Sequence, residues 1–545
     1  MRVSRAQGVI LLAGFLTYVV MGALVFEILE KDHNKKVIDA VFHLKHDFLL
    51  NYSALTPEEV ELFIQKLIRS VRKGIIPAAT HPSEKYSNWD FANSFFFVGT
   101  MLATIGYGNV SPQTKEGQIF CIIFALFGIP FNLICLNYIG FLVSRLFESC
   151  AKNVFGKGKK KTARYIFLFV VVGILMFLIL PSFLFQWVEG WTFYEAVYFT
   201  FITLSTIGFG DYLIGRNHDR SYFVGYQLLA AIWIVIGLAW ISVLFELFSS
   251  LLVALWICQT CQSRQAVKLR SHLTEQNNMR VSRAQGVLLL AGLLTYVVMG
   301  AFVFELLEND HHKKVEEATF HMKEEFFLNY TALTPEEVEL FIQKLVNAVR
   351  SGIDPVGTHP HEKHSSWDFT HSFFFVGTML STIGYGNLCP QTKEGQLFCV
   401  IFALFGIPFN LLCLNYIGSS VSGICESCAE KLSGKENKKS ARYVFVFVGA
   451  GILMFLILPA FFFQWMEGWN YSEAIYFTFI TLSTIGFGDY LIGKKQDRNY
   501  FPGYRLLSAI WIIVGLAWIA VLFELVSSFL APVDPKPSSQ KDSRG

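Results

Sequence analysis

Four short segments of this chain share one pattern. Thr104-Ile105-Gly106-Tyr107-Gly108 is followed by Asn109, and Thr206-Ile207-Gly208-Phe209-Gly210 by Asp211. Thr382-Ile383-Gly384-Tyr385-Gly386 is followed by Asn387, and Thr484-Ile485-Gly486-Phe487-Gly488 by Asp489. These residue types suit one chemistry, the transfer of an alkali cation out of water. A potassium ion sheds its hydration shell in a narrow pore when rings of backbone carbonyls replace the lost water. Consecutive carbonyls point the same way only where the backbone alternates in hand, and glycine reaches positive φ without a Cβ clash. The threonine hydroxyl adds one more ring of oxygens at the inner end. Four strands are needed, and one chain supplies four. Asn109, Asp211, Asn387 and Asp489 would then form a pore mouth with two acidic and two neutral groups, a two-fold ring that favours cations. A glycine-rich turn repeated by chance is the bland alternative. It fits poorly with four copies, each set between a short apolar run and a long apolar helix.

The elements that must position these segments are written in the composition. The chain has 545 residues, of which 53% are hydrophobic and 16% charged, and its mean hydropathy is +0.44. Soluble chains carry nearer a quarter of charged residues. The net charge of +3 implies no polyanion partner and no nucleic acid. A spanning helix needs about 20 apolar residues. Charge-free runs cover Gly8–Phe26, Gln118–Ser144, Tyr165–Val188 and Tyr222–Phe245, and again Gly286–Phe304, Gln396–Ser422, Tyr443–Met466 and, interrupted only by Arg505, Tyr500–Phe523. The expected fold is therefore an all-α membrane protein with eight spans and four re-entrant pore loops, at 89–109, 191–212, 367–387 and 469–490. Trp89–Ala103 and Trp191–Ser205 read as pore helices whose C-terminal ends direct partial negative charge at the ion path. Gly128 and Pro130, with Gly406 and Pro408, lie inside the second and sixth spans, and Gly237 and Gly515 inside the fourth and eighth. They read either as bends of vestibule-lining helices or as tolerated helix contacts.

The chain is also two copies of one unit. Met1–Val9 recurs letter for letter at Met279–Val287, and Phe201–Gly215 at Phe479–Gly493, both at an offset of 278. The first unit is expected over 1–257, a cytosolic linker over 258–278, the second unit over 279–530 and a disordered cytosolic tail over 531–545. A joined pair of neighbouring genes would give the same sequence. An even number of spans per unit returns both ends to one side. Arg2, Arg5, Lys157, Lys159, Lys160, Lys161, Arg164, Arg264, Lys268 and Arg270 mark that side as cytosolic. After each first span comes a polar, helix-periodic stretch, at about 31–80 and 309–358, read as an extracellular cap hairpin. Thr56-Pro57-Glu58-Glu59 is a helix start with a cap, a first-turn proline and a capping-box glutamate. Asn51 and Asn329 open glycosylation sequons between the cap helices. Cys121, Cys135, Cys399 and Cys413 lie inside spans and read as packing residues. The juxtamembrane pairs Cys258/Cys261 and Cys425/Cys428 suit palmitoylation better than zinc, which usually takes four ligands.

The order of span, cap, T-I-G-Y-G loop, span, span, T-I-G-F-G-D loop and span resembles the two-pore-domain potassium channels. The resemblance covers nearly all of each unit. Ser87-Asn88-Trp89-Asp90-Phe91, Ala125-Leu126-Phe127-Gly128-Ile129-Pro130 and Phe201–Tyr212 are similar to the alkaline-activated, TALK-like subgroup. The resemblance implies a potassium leak channel in the plasma membrane, gated mainly at its filter, with no cofactor beyond the permeant K+ and no enzymatic activity. No span carries Arg or Lys at every third position, as a voltage sensor would. Family members pair two subunits to assemble four loops. This chain would be a self-contained pseudo-dimer, or would pair with another two-pore subunit. The cap holds Ala54 and Ala332 where many members have a subunit-linking cysteine, and Asn109 and Asn387 stand where acid-blocked relatives have histidine. Arg220 and Arg498 match the family's external pH-sensing position, although arginine hardly titrates. Two other functions compete: a Trk/Ktr-type potassium transporter, whose loops usually keep a single glycine, and a non-conducting channel partner.

Overall fold

The computed structural model describes residues 5–52, 55–72, 75, 89–155, 162–215, 222, 225–260, 283–329, 334–350, 353, 355–356, 366–433, 444, 447–493, 500–501 and 503–530. Among these the regular structure is helical throughout, with eight helices long and apolar enough to cross a membrane. The expected all-α membrane architecture is the one observed.

Each half starts with one uninterrupted outer helix, Arg5–Asn51 and Arg283–Asn329. At 47 residues it is about 70 Å long, more than twice the hydrocarbon thickness. No glycine or proline stands between Ala23 and Asn51, so nothing stops the helix where its apolar run ends. Its polar upper part packs on the short helix of the other half, Arg5–Asn51 on Pro335–Arg350 and Arg283–Asn329 on Pro57–Arg72, to make the cap. The expected capping box is present: the Glu59 amide donates to Thr56 Oγ1 at 3.3 Å, and the Thr56 amide donates to Glu59 Oε2 at 3.0 Å.

The outer helices are exchanged between the halves. Arg5–Asn51 packs on helices Phe369–Leu380 and Lys393–Ser433 of the second half, and Arg283–Asn329 on Phe91–Leu102 and Lys115–Phe155 of the first. Tyr18 donates to the carbonyl of Phe402 at 2.7 Å and stacks on its ring at 4.2 Å. Tyr296 and Phe124 repeat both contacts. Gly22 and Gly300 lie directly beneath those phenylalanine rings, where a Cβ would collide. The exchange continues in the cap, where Phe48 stacks on Phe341 and Phe63 on Phe326, each at 4.1 Å. Half by sequence is therefore not half by packing.

Inside the outer layer, four helices close a ring. Lys115–Phe155 packs on Tyr226–Thr260, which packs on Lys393–Ser433, then Tyr504–Leu530, and back to the first. The third spans differ from the simple helix expected. Each contains a π-helical turn, Ile174–Ile179 and Ile452–Ile457. Pro181 and Pro459 follow these turns and have no N–H to donate to the carbonyls of Phe177 and Phe455. The Trp233 and Trp511 indoles take those carbonyls instead, each at 3.2 Å.

Candidate pore site

Short pore helices lead into the four loops: Phe91–Leu102, Phe193–Leu204, Phe369–Leu380 and Tyr471–Leu482. They begin two residues later than the aromatic clusters suggested, because the intervening residue is the cap. Asp90 and Asp368 accept from the Asn93 and His371 amides at 2.8 Å. Thr192 and Asn470 form capping boxes with Glu195 and Glu473. Each pore helix ends one residue before a C-cap, Ala103, Ser205, Ser381 or Ser483, and the loop starts at once.

In all four loops φ is positive at the first, third and fifth residues and at neither residue between. The backbone thus alternates in hand along each loop. Glycine at the third and fifth positions follows from this. Threonine at the first does not: Thr104, Thr206, Thr382 and Thr484 have φ of 54 to 59°, a left-handed conformation costing a non-glycine residue about 1–2 kcal/mol. Sequence reasoning assigned the positive φ to glycine alone. What holds the threonines is the helix end behind them. The Thr104 amide donates to Met101 O at 3.0 Å, and the Ile105 and Gly106 amides converge on Thr100 O at 2.9 and 3.4 Å. The other three loops repeat this turn, with Thr203 and Ile202, Met379 and Thr378, and Thr481 and Ile480 as acceptors. The first three amides of each loop are thus consumed backwards, into the pore helices.

The loops meet in a closed circle. A Cβ on Gly106 would overlap the Ile485 carbonyl oxygen, one on Gly486 the Ile383 oxygen, one on Gly384 the Ile207 oxygen, and one on Gly208 the Ile105 oxygen. The circuit runs first, fourth, third, second and back to first. The fifth-position glycines repeat it: Gly108 abuts the Phe487 oxygen, Gly488 the Tyr385 oxygen, Gly386 the Phe209 oxygen and Gly210 the Tyr107 oxygen. Two tiers of main-chain oxygens thus lie at the seams of a four-membered ring.

The glycines singled out in the spans have a common environment. Gly128, Gly237, Gly406 and Gly515 each sit under the last leucine of a pore helix, Leu102, Leu204, Leu380 and Leu482. A Cβ there would come within 2.5–2.6 Å of a leucine methyl. Pro130 and Pro408 lie inside continuous helices. Two residues on, Asn132 and Asn410 donate to the carbonyls of Leu102 and Leu380 at 3.0 Å, satisfying orphan acceptors at the pore-helix ends.

Directly after the fourth and second loops, Tyr476 donates to Asp489 Oδ2 at 3.1 Å, while Asp211 Oδ2 is buried without a partner. Burial raises both carboxyls above the ordinary range, Asp211 to about 7 and Asp489 to about 6. Ser111 faces Asp489, and its counterpart facing Asp211 is Cys389. Asn51 is the exposed last residue of its outer helix, and Asn329 ends the other. Arg220 and Arg498 lie outside the described residues, as do Cys261 and the tail over 531–545. Cys121, Cys135, Cys399 and Cys413 are buried and unbonded to one another.

An eight-span membrane protein with four re-entrant loops closed about one line belongs to the pore-loop class. Comparison with known proteins agrees. The ion channel family model matches this chain four times, at residues 62–145, 165–254, 345–422 and 446–531. Potassium channel, subfamily K, member 16 of Mus musculus is 41% identical over 244 residues, which cover 44% of this chain and 83% of the relative. Potassium channel subfamily K member 17 of Homo sapiens is 38% identical over 248 residues, covering 45% of this chain and 74% of the relative. Member 10 of Homo sapiens is 32% identical over 287 residues, 51% of this chain and 53% of the relative. The chain belongs to the two-pore-domain potassium channels, and relatives each matching about half of it fit a tandem duplicate of the whole unit.

Proposed function

We propose that this protein is a potassium-selective leak channel, and that residues 104–108, 206–210, 382–386 and 484–488 form its selectivity filter. The observation carrying this reading is the closed ring of four loops whose hand alternates residue by residue while their amides bond backwards. That arrangement leaves main-chain oxygens as the groups able to replace an ion's hydration. Asn109, Asp211, Asn387 and Asp489 form the mouth, and K+ moves passively down its gradient with gating mainly at the filter. One chain, with units at 1–257 and 279–530 joined through 258–278, supplies all four loops as a covalent pseudo-dimer. The basic residues flanking the spans support a plasma-membrane orientation with both termini cytosolic.

The purified full-length chain in liposomes tests this. The reversal potential is expected to follow the K+ gradient with a slope of about 59 mV per tenfold, to ignore Na+, and to need no coupled ion. A reversal potential that shifts equally with Na+ would overturn the reading. One that shifts with a second, coupled ion would support a Trk/Ktr-type transporter instead. Particle mass separates a one-chain pore from a two-chain one.

A further inference from the structure

Four buried glutamates lie just outside the ring, and none was singled out by its sequence. Glu30 and Glu308 are on the exchanged outer helices, and Glu189 and Glu467 end the third spans. Their exposures are 0, 1, 5 and 0%. Among the described residues none pairs with a lysine or arginine. Each instead receives main-chain N–H groups from the segment by which one loop leaves the ring. Glu308 accepts from the amides of Gln113 at 2.9 Å and Thr114 at 3.1 Å, and from the Thr114 hydroxyl at 2.6 Å, after the first loop. Glu30 accepts from Gln391 at 3.0 Å, from Thr392 at 3.1 Å and from its hydroxyl at 2.6 Å, after the third. After the second loop, Glu189 accepts from the Gly215 amide at 2.7 Å and from the hydroxyls of Tyr222 and Tyr226 at 2.8 and 2.7 Å. After the fourth, Glu467 accepts from Gly493 at 2.7 Å, Tyr500 at 2.8 Å and Tyr504 at 2.6 Å.

The pattern is four-fold although the residues behind it are not. The two kinds of carboxylate come from different helices and use different partners, threonine in one case and tyrosine in the other. Both end with a carboxyl oxygen accepting from the backbone of the exit segment. A charged acceptor makes the stronger class of hydrogen bond, and burial strengthens it further. The pore helix fixes where each loop begins, and its last carbonyls hold the loop's inner part by accepting the loop amides. Nothing in that set of bonds fixes where the loop ends. The glutamates do.

We propose that Glu30, Glu189, Glu308 and Glu467 are positioning residues of the ring, holding its four exit segments to the outer helices and so setting the spacing of the loop oxygens. The first and third loops are held from the opposite half, the second and fourth from their own. The proposal rests on the reading of the ring as a potassium filter.

The test uses the full chain, recorded in cells with surface protein measured in parallel. The variants are Glu189→Gln with Glu467→Gln, and Glu30→Gln with Glu308→Gln. Two milder pairs remove one hydroxyl donor each and leave the carboxylates: Tyr222→Phe with Tyr500→Phe, and Thr114→Val with Thr392→Val. The readouts are Na+/K+ and Rb+/K+ permeability ratios and open times of the channels that reach the surface. The expected result is a change in permeability ratio of about threefold to tenfold in the glutamine pairs, with a smaller change of the same sign in the milder pairs. A merely structural role would lower surface protein and leave the ratios of the surviving channels unaltered, and that result overturns the proposal. If the glutamine pairs fail to reach the surface, wild-type ratios in both milder pairs overturn it. A wild-type chain without K+ selectivity would instead overturn the functional reading, so the two failures are distinguishable.

Discussion

The four seams of the ring are of two kinds. Within each half, the loop tyrosine reaches the neighbouring pore helix and bonds a threonine: Tyr107 to Thr203 and Tyr385 to Thr481, both at 2.8 Å. Between the halves, a phenylalanine takes the tyrosine's place and the bond is gone. Phe209 stacks against Phe375, and Phe487 against Phe97, each at 5.4 Å. The pore helices are matched to this difference. Three residues before each loop threonine stands Thr203 or Thr481 where a tyrosine arrives, and Met379 or Met101 where a phenylalanine arrives. The polar seams lie inside the repeat unit and the apolar seams lie where units meet. This is the pattern expected of two units that associate through apolar surface. The main chain, by contrast, shows no trace of the distinction.

The largest effects should therefore ignore the seam type. Gly108→Ala sets a Cβ on the Phe487 oxygen across an apolar seam, and Gly210→Ala sets one on the Tyr107 oxygen across a polar seam. Both positions have φ above 70° or at it, where alanine is strained. Either substitution is expected to abolish potassium current while the protein still reaches the membrane. A conducting Gly210→Ala channel beside a silent Gly108→Ala channel would show that the seams differ in backbone as well as in side chain.

The next largest effect should expose the difference. Phe209→Tyr with Phe487→Tyr buries two hydroxyls against the rings of Phe375 and Phe97 and against Met379 and Met101, whose thioethers are weak acceptors already taken by the Cys399 and Cys121 thiols at 3.3 and 3.4 Å. An unsatisfied buried hydroxyl costs about 1–3 kcal/mol. Adding Met379→Thr and Met101→Thr supplies the missing partner and should recover most of the loss. The reverse change, Tyr107→Phe with Tyr385→Phe, gives up one bond per seam, about 0.5–1.5 kcal/mol each. Thermal stability of the purified chain in detergent checks the order. Equal losses from both double substitutions would mean that the seams are not matched to their helices.

The two halves also differ at the mouth. Asp211 is raised to about 7 and Asp489 to about 6, in both cases chiefly by burial. The groups facing Asp211 are Tyr198, Tyr212, Cys389 and Cys399, none of them a cation. For a carboxyl raised in the folded state, stabilisation is complete below the ordinary carboxylate range and is lost as pH rises through the folded value. The ring thus tolerates protonation and strains on ionisation. External acidification from pH 8 should remove the Asp211 charge first, near pH 7, and the Asp489 charge near pH 6. Inward current at low external K+ should fall by about twofold over the first step, as local cation enrichment drops. Asp211→Asn should delete that step and Asp489→Asn should spare it. An unchanged titration curve in Asp211→Asn would assign the step elsewhere.

Much of this molecule is legible in its letters because much of it is local. The T-I-G-Y-G and T-I-G-F-G loops, the eight apolar runs and the Thr56–Glu59 capping box depend on near neighbours in the chain. The exchange of outer helices does not. Gly22 and Gly300 mark it, since each lies under a ring of the other half, but a glycine in an apolar helix carries no address. The threonine strain was hidden for a different reason: its compensation comes from pore-helix carbonyls that only the folded turn brings near. The π-helical turns went unread: Pro181 and Pro459 sit inside the apolar runs Tyr165–Val188 and Tyr443–Met466, and the carbonyls they leave without an N–H are met by indoles of other spans. Glu189, the first charge after the run Tyr165–Val188, gave no sign of the backbone it holds.

The cap sets the lower limit on functional effect. Its core joins Val60, Ile64 and Leu67 to Val338, Ile342 and Leu345, so both halves contribute. None of its buried residues belongs to the clusters that pack around the loops. Ile64→Ala with Ile342→Ala opens two cavities at sites with no exposure, costing about 2–5 kcal/mol each. That is a larger loss of stability than any seam substitution above, yet the reversal potential and permeability ratios are expected to stay at wild-type values. Hydrogen exchange should show faster opening confined to Pro57–Arg72, Pro335–Arg350 and the upper outer helices. A shifted reversal potential in this variant would mean that the exchanged outer helices transmit cap packing to the ring, and the separation of cap from pore would then fail along Arg5–Asn51.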